Sequence, residues 1–247
     1  MMTQPAITRP IQTGRFNSMP SSIRFRCFLR KTALCLTLGL LSTAALAEID
    51  QRLLAAVKQD NGDKIADLVA HGVDPNAANA QGNPPLYIAI QEDAWKAVNT
   101  LVTLRQIQLD LPNSRDETPL MLAAIKGRLD LVKQLIARGA AVNREGWTPL
   151  HYAASSALEG QSEIVALLLE NYAFINAQSP NETTPLMMAA GYGTVAVVKQ
   201  LLAEGVFLDV KNQQGMTAID FAKRANRSDV EELISQAQRS TFTQGHW

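Results

Sequence analysis

The sequence predicts an all-α fold, a solenoid of about six helix–turn–helix repeats with hairpin-like turns. Three observations support this prediction. The motif Thr-Pro-Leu begins at residues 118, 148 and 184, with the related Pro-Pro-Leu at 84 and Thr-Ala-Ile at 217. These starts stand 34, 30, 36 and 33 residues apart, a period typical of repeat proteins. Most motifs are followed by paired alanines and an apolar run, and the unit closes with a turn such as Gly-Ala-Ala-Val-Asn at 139–143.

These motifs resemble the ankyrin repeat, a unit of about 33 residues with a hairpin turn and two antiparallel helices. The resemblance covers about residues 49–238, and each unit is expected to stack on its neighbours because one repeat cannot bury its own apolar stripe. The first unit lacks the Thr-Pro opening and the last lacks the closing turn, so both are expected to act as caps. The predicted units are about 49–80, 81–114, 115–144, 145–180, 181–213 and 214–238.

Each part of the repeat has a physical reason. A threonine oxygen can cap the first helix, and the proline after it is preset for the first turn. Leucine and valine at spacings of three and four give the second helix one apolar stripe. A glycine at 72, 139 or 205 suits the left-handed residue that ends that helix. Gln106 and Tyr172 replace this glycine in repeats two and four, so these two turns are expected to be remodelled.

Repeat four departs furthest from the pattern. The short interval before it shortens the hairpin between Asn143 and Trp147, and the long interval after it places about three extra residues around 158–162. We expect a kink or bulge of the solenoid there.

The first 47 residues have the three parts of a secretory signal peptide. A basic run at 24–31 precedes an apolar stretch at 33–41, and Ala45-Leu46-Ala47 forms a small-residue cleavage site. The uncharged segment 32–47 has 16 residues, fewer than the ~20 needed to cross a bilayer, so cleavage is favoured over a membrane anchor. Met19 is an alternative initiator that would give a signal of ordinary length. The predicted organisation is a leader at 1–47, a repeat domain at 48–238 and a polar tail at 239–247.

Charge and motif content exclude several function classes. Residues 48–247 contain 17 Lys and Arg against 23 Asp and Glu, which disfavours nucleic-acid binding. No Gly-x-Ser-x-Gly elbow, phosphate-binding glycine motif or zinc-type histidine pair occurs, and both cysteines lie in the predicted leader. The sequence therefore predicts no enzyme activity, catalytic residue, metal or cofactor. His151 lies in Thr-Pro-Leu-His, where the resemblance implies hydrogen bonding between repeats.

The resemblance also implies where a protein partner binds: at the hairpin tips and on the exposed side of the first helices. Trp147 and Tyr192 are the predicted anchors, since large aromatic residues at such positions are typical of interfaces. They are expected on one side, across a recess floored by Ser155 and Ser156. Alternatively, Trp147 folds back and seals the shortened turn. The predicted binding residues are Arg115, Glu117, Lys126, Glu145, Trp147, Ser155, Tyr192 and Met216.

Phe174 and Phe207 occupy the same turn position in consecutive repeats, where the ankyrin turn usually has aspartate. They are expected either to stack on one another as a brace or to form an apolar patch for a partner.

The sequence thus predicts an exported protein–protein interaction module, a periplasmic scaffold or accessory binding protein. It is expected to be monomeric and without stable membrane insertion once the leader is removed. Two alternatives remain open, an immunity or inhibitor protein that neutralises one toxin or enzyme, and a secreted effector that binds host proteins.

Overall fold

Each predicted repeat folds as two helices, and the all-α solenoid is confirmed. The computed structural model describes residues 49–244, with side chains up to 240, and contains no strand in this range. The twelve helices are α1 Gln51–Lys58, α2 Gly62–Ala70, α3 Pro85–Gln91, α4 Trp95–Thr103, α5 Pro119–Ile125, α6 Leu129–Ala137, α7 Pro149–Ala154, α8 Gln161–Glu170, α9 Pro185–Tyr192, α10 Val195–Ala203, α11 Ala218–Arg224 and α12 Ser228–Gln244.

The first helix of most repeats begins as its motif predicts. The Thr118 and Thr184 hydroxyls accept hydrogen bonds from the amides of Met121 and Met187, at 3.3 and 3.4 Å. A proline follows each threonine at the first helical position, where no amide donor is needed. Pro84 stands where repeats three to six have threonine, and α3 therefore begins without a side-chain cap.

The core runs the length of the solenoid as one row of apolar side chains. Odd-numbered helices pack on the next odd-numbered helix, and second helices pack similarly from α2 to α4 and from α6 through α8 and α10 to α12. Equivalent positions of the second helices supply a residue that is buried in every repeat. These residues are Leu68, Leu101, Leu135, Leu168, Leu201 and Ile234.

The turns after the second helices follow the expectation only in part, because the turn at Gln106 is remodelled and the turn at Tyr172 is not. Glycines 72, 139 and 205 have φ angles of 90°, 89° and 77°, in the left-handed region that favours glycine. Tyr172 adopts the same conformation with φ 63°. Gln106 does not belong to the residues with positive φ. Helix α4 instead ends at Thr103 and Leu104 is extended, so this turn is rebuilt without a left-handed residue at 106.

A row of Asn and Asp side chains connects these turns: the first four members bond to the backbone of the next turn, and the last, Asp209, accepts from the Gln238 Nε2 of α12 at 2.8 Å. The Asn143 Oδ1 accepts a hydrogen bond from the Phe174 amide at 2.8 Å, and its Nδ2 donates to the Tyr172 carbonyl at 2.7 Å. We call this row the Asx ladder. Its members are Asn76, Asp110, Asn143, Asn176 and Asp209.

Repeat four has the shortened hairpin that its spacing predicts. At the tips that precede α3, α5 and α11 an asparagine accepts two backbone amides, but the short tip before α7 has no residue for this role. Arg144 anchors it instead, donating to the Asp116 carbonyl and Oδ1 at 2.7 Å each. The extra residues lie between α7 and α8, where Gly160 has φ 80°.

The last helix extends beyond the predicted end of the repeat domain at residue 238. Helix α12 continues to Gln244, so part of the segment set apart as a polar tail, 239–247, extends the last helix. The predicted leader, Met19 and the cleavage site at 47 lie outside the described residues. Within residues 49–244, no helix combines the length and apolarity that a membrane span requires.

Candidate protein-binding face

The hairpin tips and the first helices that follow them carry all eight predicted binding residues, and we call this surface the inner face. Arg115, Glu145 and Tyr192 are exposed on it. The other five are half-buried and are therefore engaged with the fold. These five are Glu117, Lys126, Trp147, Ser155 and Met216.

Glu117 is the centre of a polar cluster that joins three repeats. Its Oε2 accepts hydrogen bonds from the Tyr87 hydroxyl of repeat two and the Asn113 Nδ2, each at 2.7 Å. Arg115 pairs with the same oxygen at 2.9 Å, and the Tyr152 hydroxyl of repeat four donates to Oε1 at 3.2 Å. One carboxylate thus connects consecutive first helices.

The electrostatics of this cluster keep Glu117 ionised. Burial disfavours its charge, but the hydrogen bonds from Tyr87, Asn113 and Arg115 outweigh burial and lower its pKa. Burial and the adjacent carboxylate both raise the pKa values of the Tyr87 and Tyr152 hydroxyls. The two tyrosines therefore remain neutral donors to a fixed anion.

Sequence reasoning missed Tyr87 and Tyr152 as members of the site. Both lie inside the helix-opening motifs, one in Pro-Pro-Leu-Tyr and one in Thr-Pro-Leu-His-Tyr. Their occurrence in the repeats on either side of Glu117 was the available signal, because stacking brings equivalent helices together.

Lys126 supports the fold, so its ammonium group is not free for a partner. Its Nζ donates to the carbonyls of Ile90 and Gln91 at 3.0 and 2.8 Å and pairs with Asp93 at 3.0 Å. These carbonyls lie at the end of α3, where helical acceptors lack intrahelical partners. Arg227 has the same role at α9, donating to two carbonyls there.

Trp147 packs against its own repeat. Its ring meets His151 edge to face, with centroids 5.2 Å apart. His151 is fully buried; its Nδ1 accepts from the Thr148 amide at 3.2 Å and its Nε2 donates to the Thr183 carbonyl at 2.9 Å. These partners assign the neutral tautomer with the proton on Nε2. Of the two interpretations of Trp147, sealing of the shortened turn fits this contact.

Tyr192 lines a recess with the next repeat, and Trp147 is not among the residues that line it. This recess, of about 180 Å³, is formed with Gly191, Phe221, Arg224 and Ala225.

The predicted serine floor is also different from expectation. Ser155 donates its hydroxyl to the Tyr152 carbonyl, and the Ser156 Oγ, which is buried, accepts from the Leu158 amide at 3.4 Å. Both hydroxyls belong to the end of α7 rather than to a binding recess.

A second set of exposed aromatic residues, Tyr172, Phe174 and Phe207, lies on the turns after the second helices, a surface that we call the turn edge. Phe174 and Phe207 are each 66% exposed, and the ring contact found among the described residues is that of Trp147 with His151. The two phenylalanines therefore do not brace one another, and the expectation of an apolar patch fits their exposure. Tyr172, 85% exposed, lies two residues before Phe174.

The described residues contain no group of three or more His, Cys, Asp or Glu side chains placed to hold a metal ion. The inner face offers hydrogen bonding, charge and aromatic contact.

Comparison with known families agrees with this architecture. The family model described as "Ankyrin repeats (3 copies)" matches residues 96–179 and 175–241, more than half of the chain. The chain belongs to the ankyrin-repeat family. It is therefore a protein–protein interaction module.

Relatives of the repeats occur in unlike proteins. The chain is 26% identical over 165 residues, 64% of its length, to human transient receptor potential cation channel subfamily A member 1. It is 29% identical over 163 residues, again 64% of its length, to the chicken nuclear factor NF-kappa-B p105 subunit. The matches span only 15% and 16% of those proteins.

A solved structure is similar over far more of its own length. One chain of the complex of the Bd0816 predatory endopeptidase from Bdellovibrio bacteriovorus with the immunity protein Bd3460 matches with a TM-score of 0.65 and 29% identity. The similarity covers 76% of the present chain and 99% of that one.

Proposed function

We propose that the chain is an exported, non-catalytic scaffold or accessory protein that binds a folded protein partner in the periplasm through its inner face. The observation that supports this most is the Glu117 cluster, because it fixes the tips and first helices of three repeats before any partner arrives. A preorganised surface loses little side-chain freedom on binding. The signal-like leader motivates the proposed export.

Site-specific photocrosslinking in the source cells would test this use of the inner face. A photoreactive residue at Glu145 or Tyr192 is expected to form one discrete protein adduct, whereas one at Lys133, exposed on the second helix α6, is not. Equal adducts at Lys133, or adducts at neither inner position, would contradict the proposal.

Export has its own test. We expect the protein recovered from the periplasm to begin at Glu48, which intact-mass analysis would show. Replacing Ala47 with a bulky residue should block processing, and a full-length membrane-bound form of the unaltered chain would contradict cleavage.

A second candidate is an immunity or inhibitor protein. It is favoured by the similarity to a chain from a complex of an endopeptidase with an immunity protein. The purified chain would be titrated against periplasmic endopeptidases of its own source. Complete inhibition of one enzyme at a one-to-one ratio supports this role, and unchanged activity of an enzyme that binds the chain supports the scaffold role instead.

A further inference from the structure

The recess beside Tyr192 combines an apolar wall with an unpaired cation. Tyr192 is 60% exposed and forms one side, and Phe221 of α11 forms the other. Gly191 leaves the space open between them, since a Cβ there would lie 3.4 Å from the Phe221 ring. A volume of about 180 Å³ suits one large apolar side chain.

Arg224 lies at the rim of this recess. Its NH1 donates to the Met216 Sδ at 3.2 Å, and a thioether is a weak acceptor. No carboxylate of the described residues forms an ion pair with Arg224. The nearest acid in its helix, Asp220, is instead held by the Thr217 amide and hydroxyl at 2.8 Å each. A guanidinium group that is exposed and lacks a strong acceptor is ready for an external carboxylate.

Arg224 is the one charged side chain among the residues that line the recess. Lys223 also lies in the last turn of α11, but it pairs with Glu231 at 3.6 Å. Residues 48–247 as a whole contain more Asp and Glu than Lys and Arg. An acidic partner group is thus attracted to this end of the inner face and repelled by much of the remaining surface.

We propose that this recess binds a partner loop in which an aspartate or glutamate adjoins a large apolar side chain. The apolar side chain fills the space between Tyr192 and Phe221, and the acid pairs with Arg224. This inference rests on the proposed function only in taking the occupant to be part of a protein.

The test uses two blocked dipeptides, Ac-Asp-Phe-NH2 and Ac-Asn-Phe-NH2, which differ in one charge. Each is titrated into the full chain while backbone amide shifts are recorded by NMR. We expect saturable shifts centred on Gly191, Tyr192 and Arg224, with about four-fold weaker binding of the Asn peptide. Arg224→Gln should abolish this difference and Tyr192→Ala should remove saturable binding.

Matched controls separate the recess from general surface effects. Arg105→Gln removes another exposed arginine, and Tyr172→Ala removes an exposed tyrosine of the turn edge. Both should bind like the unaltered chain. Equal affinity for the two peptides, shifts centred elsewhere, or no saturable shift would overturn the inference. The dipeptide result is independent of the crosslinking result, so failure of this inference and failure of the proposed function are distinguishable.

Discussion

The Asn143 side chain bonds to the backbone on both sides of Ala173, 2.7 Å from the Tyr172 carbonyl and 2.8 Å from the Phe174 amide. Asn143 belongs to repeat three and its partners to repeat four, so one amide group connects two units. The Nδ2 group is the donor and the Oδ1 atom is the acceptor, so both ends of the side-chain amide take part in this connection.

Asn143→Ala should therefore lower the free energy of unfolding by about 1–2 kcal/mol, because it removes two hydrogen bonds between repeats. Urea unfolding would measure the loss. Asn99→Ala, at an exposed position of α4, is the matched control and should change stability little. A loss of the same size in both variants would show that the ladder contributes nothing specific.

Leu135→Ala should destabilise the chain by roughly 2–5 kcal/mol, since Leu135 is fully buried in the row of second-helix side chains. Calorimetry should also show reduced cooperativity, because coupling in a solenoid runs between nearest neighbours. Lys133→Ala, exposed on the same helix, serves as the control. A change below about 0.5 kcal/mol for Leu135→Ala would contradict the packing described above.

Stability should depend on pH through His151. Burial lowers its pKa from 6.5 to about 4 in the folded chain. Between these values the unfolded chain takes up a proton that the folded chain does not, so stability decreases as pH falls from about 6.5 to 4. The loss should reach ~3 kcal/mol and level off below pH 4 for this group.

The variant His151→Met isolates this effect. Met121 and Met187 occupy the equivalent position in repeats three and five, so methionine is compatible with the helix opening there. Chemical denaturation at a series of pH values should show a flatter profile for His151→Met between pH 6.5 and 4. His71→Met, at an exposed histidine, should keep the original profile. Identical profiles for all three proteins would exclude His151 as the cause.

Glu117→Gln should cost about 1–2 kcal/mol, because charge-assisted hydrogen bonds become neutral ones and Arg115 loses its anion. A double-mutant cycle with Tyr152→Phe should show that the two changes are not additive, since Glu117→Gln weakens the same bond that Tyr152→Phe removes. Glu145→Gln, on the exposed tip of repeat four, is the control. Additive losses would mean that the cluster does not act as a unit.

Much of this structure could be predicted because it repeats. The register of the helices, the left-handed glycines and the short hairpin after Asn143 follow from spacing alone. Both Gln106 and Tyr172 predict a remodelled turn; Gln106 confirms this, since α4 ends in an extended residue, whereas Tyr172 keeps the left-handed conformation of the glycines with φ 63°.

The candidate site was less predictable, because it depends on how side chains reach across repeats. Lys126 lies at a repeat position where a binding residue is expected, but its ammonium group donates to the carbonyls at the end of α3 instead. The sequence pairs Tyr192 with Trp147, whereas the recess that Tyr192 lines is shared with Phe221 of the following repeat. A periodic pattern fixes where each Cα lies along the stack, but it does not fix the direction that a long side chain takes.

From Asp110 onward, the Asx ladder keeps a constant spacing where the helix-opening motifs do not. Its members at 110, 143, 176 and 209 are 33 positions apart throughout, although the motif intervals around repeat four are 30 and 36. The residues missing before Trp147 are compensated by the extra residues between α7 and α8, and both changes lie in the interval from Asn143 to Asn176. Measured from one ladder residue to the next, even repeat four has the regular length of 33 residues. Recombination of the gene at equivalent ladder positions would therefore add or remove whole repeats. Each internal ladder residue would still lie close to the turn of the next repeat.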